Sequence, residues 1–314
     1  MLIRIGTRRS PLALAQTHYV MGLIKLHNPD VKFSLHMINT IADRDRVSEF
    51  YQFGIVGVFS TEHEDQLISR QVDIVVHSLK DLPTILADGL VLAAVPDRKD
   101  PRDMLCGTRL ADLGEGSTIG TGSLRRKAQI LRLRPDVVVV PIRGNIGSRL
   151  DRINGETALD AIILAQAGLE RLDIKRERME ILSAGLFPYA VGQGALGVQA
   201  RGDDFRILDI VTKIQCKKAR AEVDAERAML HTLGAGCSLP VGVSTMWQND
   251  QLSLSGQVTS LNGDQFVTCQ KSMPASQATQ LGIHAAEQLR DKGGVDILES
   301  SYKSFCSHYK FISA

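Results

Sequence analysis

Aromatic residues are scarce in this 314-residue chain, at 5% with a single tryptophan, which argues against a surface that stacks nucleic-acid bases. Net charge is slight too: 37 Lys and Arg against 35 Asp and Glu leave +2, with no dense basic block. Nucleic acid is therefore not an expected partner. No apolar run approaches bilayer-spanning length, and the start, Met1-Leu2-Ile3-Arg4, lacks the basic-then-apolar form of a signal peptide. Cys106, Cys216, Cys237, Cys269 and Cys306 are scattered and form no CxxC pair. With no metal-ligand spacing among the histidines either, the pattern reads as a reduced, cytoplasmic protein without a metal site.

What is present suits an ordinary globular chain of two or three domains, 44% apolar and 23% charged. The pattern predicts a strand over 2–6, then Ser10 as N-cap with Pro11 opening a helix to about 26. A strand over 32–38 follows, then a long aperiodic connection, 39–58, of the kind that forms functional lids. Thr61-x-x-Glu64 resembles a capping box for a helix to 69; strands at 73–76 and 89–95 flank His77-Ser78-Leu79-Lys80-Asp81-Leu82-Pro83. Residues 97–103, Asp-Arg-Lys-Asp-Pro-Arg-Asp, break the composition and read as an interdomain crossing. Beyond it the alternation restarts, with strands 118–120, 137–141 and 160–165 leading to helices 123–133, from 145, and 166–172. Such alternation points to open, largely parallel α/β sheets. Gly192-Gln193-Gly194 begins a return to the first domain, and a helix over 217–233 leads into a small α+β domain with a hairpin at Asn262-Gly263 and a helix near 275–292. The boundaries expected are 1–96 with 195–213, 101–190, and 217–314.

The segment that organises the chain is 120–126, Gly-Thr-Gly-Ser-Leu-Arg-Arg. A strand runs there into a small-residue turn and a helix opens, leaving free backbone N–H groups for an anion. Arg125 and Arg126 oppose that helix dipole, so they cost stability unless an anion answers them. Arg8, Lys80-Asp81, Arg125-Arg126, Arg143 and Arg149 all follow strand ends, the edge where open α/β sheets bind ligands. Two such domains facing each other would line one cleft for a polyanion, held bidentately. Asp81 reads either as a carboxylate that steadies a cation or moves a proton, or as a turn-former before Pro83. Cys237 reads either as a covalent anchor in a glycine-flanked loop or as an inert filler.

Taken together, Arg8-Arg9-Ser10-Pro11-Leu12-Ala13, His77 through Pro83, Asp100-Pro101-Arg102-Asp103, residues 120–126, Arg143-Gly144-Asn145, residues 160–172 and 190–197, Glu226-Arg227-Ala228 and Gly236-Cys237 with Pro240 resemble the porphobilinogen deaminase family, in family order over nearly the whole chain. The resemblance implies two domains like type II periplasmic binding proteins around a cleft, plus a small α+β domain with the cofactor cysteine. It implies a transferase that condenses four porphobilinogen molecules into hydroxymethylbilane with release of ammonia, in tetrapyrrole (haem) biosynthesis. The primer is a dipyrromethane cofactor, held covalently by the residue that matches Cys237. Asp81 matches the catalytic aspartate. Lys80, Asp81, Thr121, Ser123, Arg125, Arg126, Arg143 and Gly144 match cofactor-binding positions; Arg8, Ser10, Arg143, Arg149 and Arg171 match substrate-binding ones. The partner implied is the small molecule porphobilinogen, with no membrane and no nucleic acid, for a cytoplasmic monomer.

This chain departs from the family pattern near the lid. Val56 and Thr61 stand where lysines are expected, Thr-Arg-Gly-Asp reads Thr40-Ile41-Ala42-Asp43, and Gly122 replaces a common serine. At ~1.5–3 kcal/mol per lost charge-assisted hydrogen bond, three missing cations would weaken substrate binding or chain translocation; Arg44 and Arg46, close by in the chain, are the candidates to compensate, though sequence does not place them. A second reading is therefore a weak or inactive paralogue that binds pyrrolic polyanions, and a third is a two-lobed solute-binding protein.

Overall fold

The computed structural model describes residues 1–38, 61–153, 158–175, 177–235 and 239–310. Ile41, Val56, Arg44, Arg46 and Cys237 lie outside them, and of Thr61 only the backbone is described. By packing, the chain divides into two compact units, Met1–Pro101 with Ala165–Lys175 and Gly192–Val223, and Arg102–Leu164 with Arg176–Val191 and Asp224–Ala314.

The first unit is built on a five-stranded sheet of order β2-β1-β3-β10-β4: β1 Leu2–Thr7, β2 Lys32–Met37, β3 Ile74–Ser78, β4 Leu90–Ala94 and β10 Leu196–Arg201. Helix α1, Pro11–His27, covers it, with Ser10 accepting from the Ala13 N–H at 3.2 Å as the expected N-cap. Val20 and Ile24 of α1 join Ile3, Ile5, Ile74, Val198 and Val211 in one core. Helix α2, Thr61–Ile68, packs on β3, β4 and β10.

The second unit holds a five-stranded sheet of order β7-β6-β8-β5-β9: β5 Asp103–Cys106, β6 Thr118–Gly120, β7 Val138–Val140, β8 Ala161–Ala165 and β9 Met179–Ile181. Helix α3, Leu124–Leu133, packs Ile130 against Leu105, Ile119, Ile163 and Phe187, and a short α4, Ile146–Leu150, follows β7. The two sheets share one strand order, a third strand beside the first and then an inserted strand before the fourth. A three-stranded antiparallel sheet forms the C-terminal part, from β11 Val241–Gln248, β12 Gln251–Thr259 and β13 Phe266–Pro274, with α8 Ala278–Asp291 and α9 Gly294–Lys310. The fold class is thus as expected, two α/β sheets and a small α+β portion.

Several details are corrected. The sheets are mixed rather than largely parallel: β1–β2, β1–β3, β6–β7 and β6–β8 run parallel, while β10 is antiparallel to β3 and β4, and β5 to β9. Residues 196–201 read as a connection because of the glycines around them; they form a strand buried throughout, Gln199 and Arg201 included. Asp103 read as crossing, yet it opens β5 and is fully buried, since its charge has partners within the fold. His77 and Ser78 extend β3 beyond the expected end at 76, and α9 was not anticipated. Helix α5, Gln166–Arg171, packs on α1 and belongs to the first unit. Helix α6, Phe205–Val211, precedes α7, Lys217–Thr232, which begins in the first unit and ends in the second.

Candidate active site

In the first unit the parallel pairing of β1 and β3 makes the chain leave both strands at the same sheet edge. Arg8 follows β1 there, with Ser10 two residues on; its oxygen is used as the cap, and its O–H remains as a donor. Lys80 and Asp81 sit in a single 3-10 turn, Leu79–Asp81, immediately after β3. Leu79 and Leu82 clamp that turn by packing on Val95, Ala195, Ala219 and Val223. Lys80 Nζ lies 3.4 Å from Gln193 Oε1, and the Gln193 amide donates to the Pro101 carbonyl at 2.7 Å. Asp81 is half-buried, and its carboxylate has no hydrogen-bond or ion-pair partner among the described residues. A carboxylate so placed is available to accept from a ligand N–H or to steady a cation.

The strand that leads to this turn is held by buried amides. Gln16 donates to Ser78 Oγ at 2.8 Å, and Gln199 Oε1 lies 2.9 Å from His77 Nε2. His77 also meets the His63 ring edge-to-face at 5.4 Å. Arg171, at the end of α5, donates to the Gly194 carbonyl at 2.7 Å. Burial holds its guanidinium down at about 10, which leaves it charged at neutral pH.

In the second unit β6, β7 and β8 run parallel, so the turns after β6 and β7 share an edge. The Ser123 N–H donates to Thr121 Oγ1 at 3.2 Å, and Ser123 Oγ caps α3 by accepting from the Arg126 N–H at 3.5 Å. Gly122 makes a close approach possible: a β-carbon there would lie 2.9 Å from the Ile142 carbonyl oxygen. A serine at this position would have to push that carbonyl back.

Arg125 and Arg126 are buried, and the anion that answers them is Asp103. Asp103 Oδ1 accepts from Arg126 Nε at 3.0 Å and Nη2 at 2.7 Å, while Oδ2 lies 2.8 Å from Arg125 Nη2. Arg126 Nη1 donates to the Ile163 carbonyl and Arg125 Nη1 to the Pro188 carbonyl, at 2.9 and 2.7 Å. Burial pushes the Arg125 guanidinium down and Asp103 pulls it back up. Arg143 is half-buried in the turn after β7, next to exposed Gly144. Arg149 Nε donates to the Gly144 carbonyl at 2.8 Å, and Asn145 caps α4. Cationic donors thus border each sheet's binding edge, and the second unit shares one buried carboxylate between two guanidiniums.

A family profile described as Porphobilinogen deaminase, dipyromethane cofactor binding domain, matches residues 3–209, and one described as Porphobilinogen deaminase, C-terminal domain, matches 220–291. The chain belongs to the porphobilinogen deaminase family. Among its relatives, the porphobilinogen deaminase of Brevibacillus brevis is 41% identical over 299 residues, covering 94% of this chain and 96% of that protein. The porphobilinogen deaminase of Geotalea uraniireducens is 39% identical over 99% of this chain and 98% of its own length. That of Synechococcus elongatus is 39% identical, covering 96% and 95%.

Sequence reasoning missed four residues that hold the candidate site in place. Asp103 was hidden within a charged run, and Gln16, Gln193 and Gln199 carry no periodic signal, since only the fold brings them to the β3 end.

Proposed function

We propose that this chain is a hydroxymethylbilane synthase, joining four porphobilinogen molecules head to tail on a dipyrromethane primer held by Cys237. The observation that carries this reading is the match of both family profiles, over 3–209 and 220–291. At each addition the aminomethyl C–N bond breaks and ammonia leaves. A C–C bond forms to the free α-carbon of the preceding pyrrole, which loses its proton.

The donor set suits the cofactor. Its pyrroles carry acetate and propionate groups, and the chain offers Arg125, Arg126 and Arg143, with a buried Arg125 Nε that has no acceptor among the described residues. Lys80, Asp81, Thr121, Ser123, Arg125, Arg126, Arg143 and Gly144 would hold it; bound, it supplies the pyrrole carbon to which the first substrate is joined. Arg8, Ser10, Arg143, Arg149 and Arg171 hold substrate carboxylates, which a permanently charged guanidinium does without titrating. Asp81 accepts from pyrrole N–H groups and steadies the positive charge that develops as the amine departs. Residues 1–96 with 195–213, 101–190 and 217–314 act as three functional domains, in a cytoplasmic monomer. No observation favours the inactive reading.

The test is the intact mass of purified protein beside Cys237→Ser, followed by ammonia release from porphobilinogen. An excess of two linked pyrroles, absent from Cys237→Ser, together with turnover, is the expected result. An unmodified mass after incubation with porphobilinogen would overturn the reading.

A further inference from the structure

We propose that Asp103 is a positioning residue that sets the forks of Arg125 and Arg126 for a bound carboxylate, and that the Arg125 Nε–H is the donor left open to it. The inference rests on the proposed activity and deepens it. Asp103 has no solvent exposure, and its two oxygens are divided between the guanidiniums, Oδ1 to Arg126 and Oδ2 to Arg125. Each guanidinium is gripped from a second direction as well, by the Ile163 carbonyl at 2.9 Å and the Pro188 carbonyl at 2.7 Å. An arginine held on two sides cannot swing to meet a ligand, so its remaining donors are pre-aimed.

The grip is incomplete on the Arg125 side, where Asp103 Oδ2 makes an ion pair at 2.8 Å without a hydrogen bond of good geometry. Arg125 Nε is buried and has no acceptor among the described residues, and Arg125 itself is almost wholly buried. A buried N–H without an acceptor is unfavourable and rare in native structures. On a guanidinium the acceptor it favours is anionic. The same carboxylate also answers two arginines at the start of a helix, where the dipole opposes them. Asp103 therefore makes the pair tolerable in the fold while leaving one donor for a pyrrole carboxylate. Its reach to the ligand is through the arginines; it touches none itself.

The experiment compares wild type with Asp103→Asn, Asp103→Glu, Arg125→Gln and the Asp103→Asn/Arg125→Gln double variant. It reads the fraction carrying the covalent mass excess, KM and kcat for porphobilinogen, and the melting temperature. Asp103→Asn is expected to raise KM about tenfold or more and lower cofactor loading similarly, the scale of one charge-assisted hydrogen bond. Asp103→Glu, which keeps the charge, is expected to restore part of both. The double variant is expected to lose clearly less in KM than the product of the two single losses, because part of the Asp103 effect passes through Arg125 and the rest through Arg126. It also offsets the charge lost with Asp103, so it reads out even where Asp103→Asn fails to fold. Variants that melt lower but keep wild-type loading and KM, or effects that multiply in the double variant, would overturn the proposal. A wild type without mass excess would sink the activity itself; calorimetric titration of porphobilinogen into wild type and variants would still decide the role of Asp103.

Discussion

A β-carbon on Gly263 would lie 2.4 Å from the backbone nitrogen of Arg132. The hairpin between β12 and β13 therefore presses directly on the last turn of α3, the helix that carries Arg125 and Arg126. The φ of Gly263, +81°, is also one that side-chain-bearing residues avoid. Gly263→Ala is expected to destabilise the second unit by about 1–3 kcal/mol from overpacking alone, read from urea unfolding.

Asp73 gives a pH dependence. Burial raises its pKa, but hydrogen bonds from Arg4 and Arg201 outweigh that and hold it below the ordinary value of 3.8. A carboxyl depressed in the folded state contributes stability above its unfolded pKa and loses it as pH falls through the folded one. Unfolding free energy should therefore fall on acidification below about pH 4, and Asp73→Asn should flatten that fall. At neutral pH the variant should cost about 3 kcal/mol, because Arg4 and Arg201 lose a shared partner. A wild-type acid limb in Asp73→Asn would contradict this.

Asp81→Ala separates chemistry from folding. The carboxylate has no partner among the described residues, so unfolding free energy should change by less than about 0.5 kcal/mol. Turnover should drop about 10²–10⁴-fold, measured as ammonia release.

Tyr189 tests the C-terminal packing. Its hydroxyl accepts from the Thr245 N–H at 2.7 Å and pairs with Thr245 Oγ1 at 3.0 Å. Tyr189→Phe should cost about 1–2 kcal/mol, seen as a lower denaturation midpoint with an unchanged slope.

Local signals in the sequence determined a good deal. Ser10-Pro11 caps its helix as read, a helix opens at Ser123, the hairpin turn falls at Asn262-Gly263, and the arginines follow strand ends, because capping, turn chemistry and period act over a few residues. The motifs that mark the family are contiguous for the same reason. Only the tertiary structure decided the rest. Strand β10 enters the first sheet antiparallel from a distant part of the chain, and neither its pairing nor its direction is a local property. Sequence spacing required an anion for Arg125 and Arg126; the fold supplies Asp103, some twenty residues upstream, through strand β5. Whether a charge is solvated, paired or left open to a ligand depends on what surrounds it in three dimensions, and that is set by packing among distant segments.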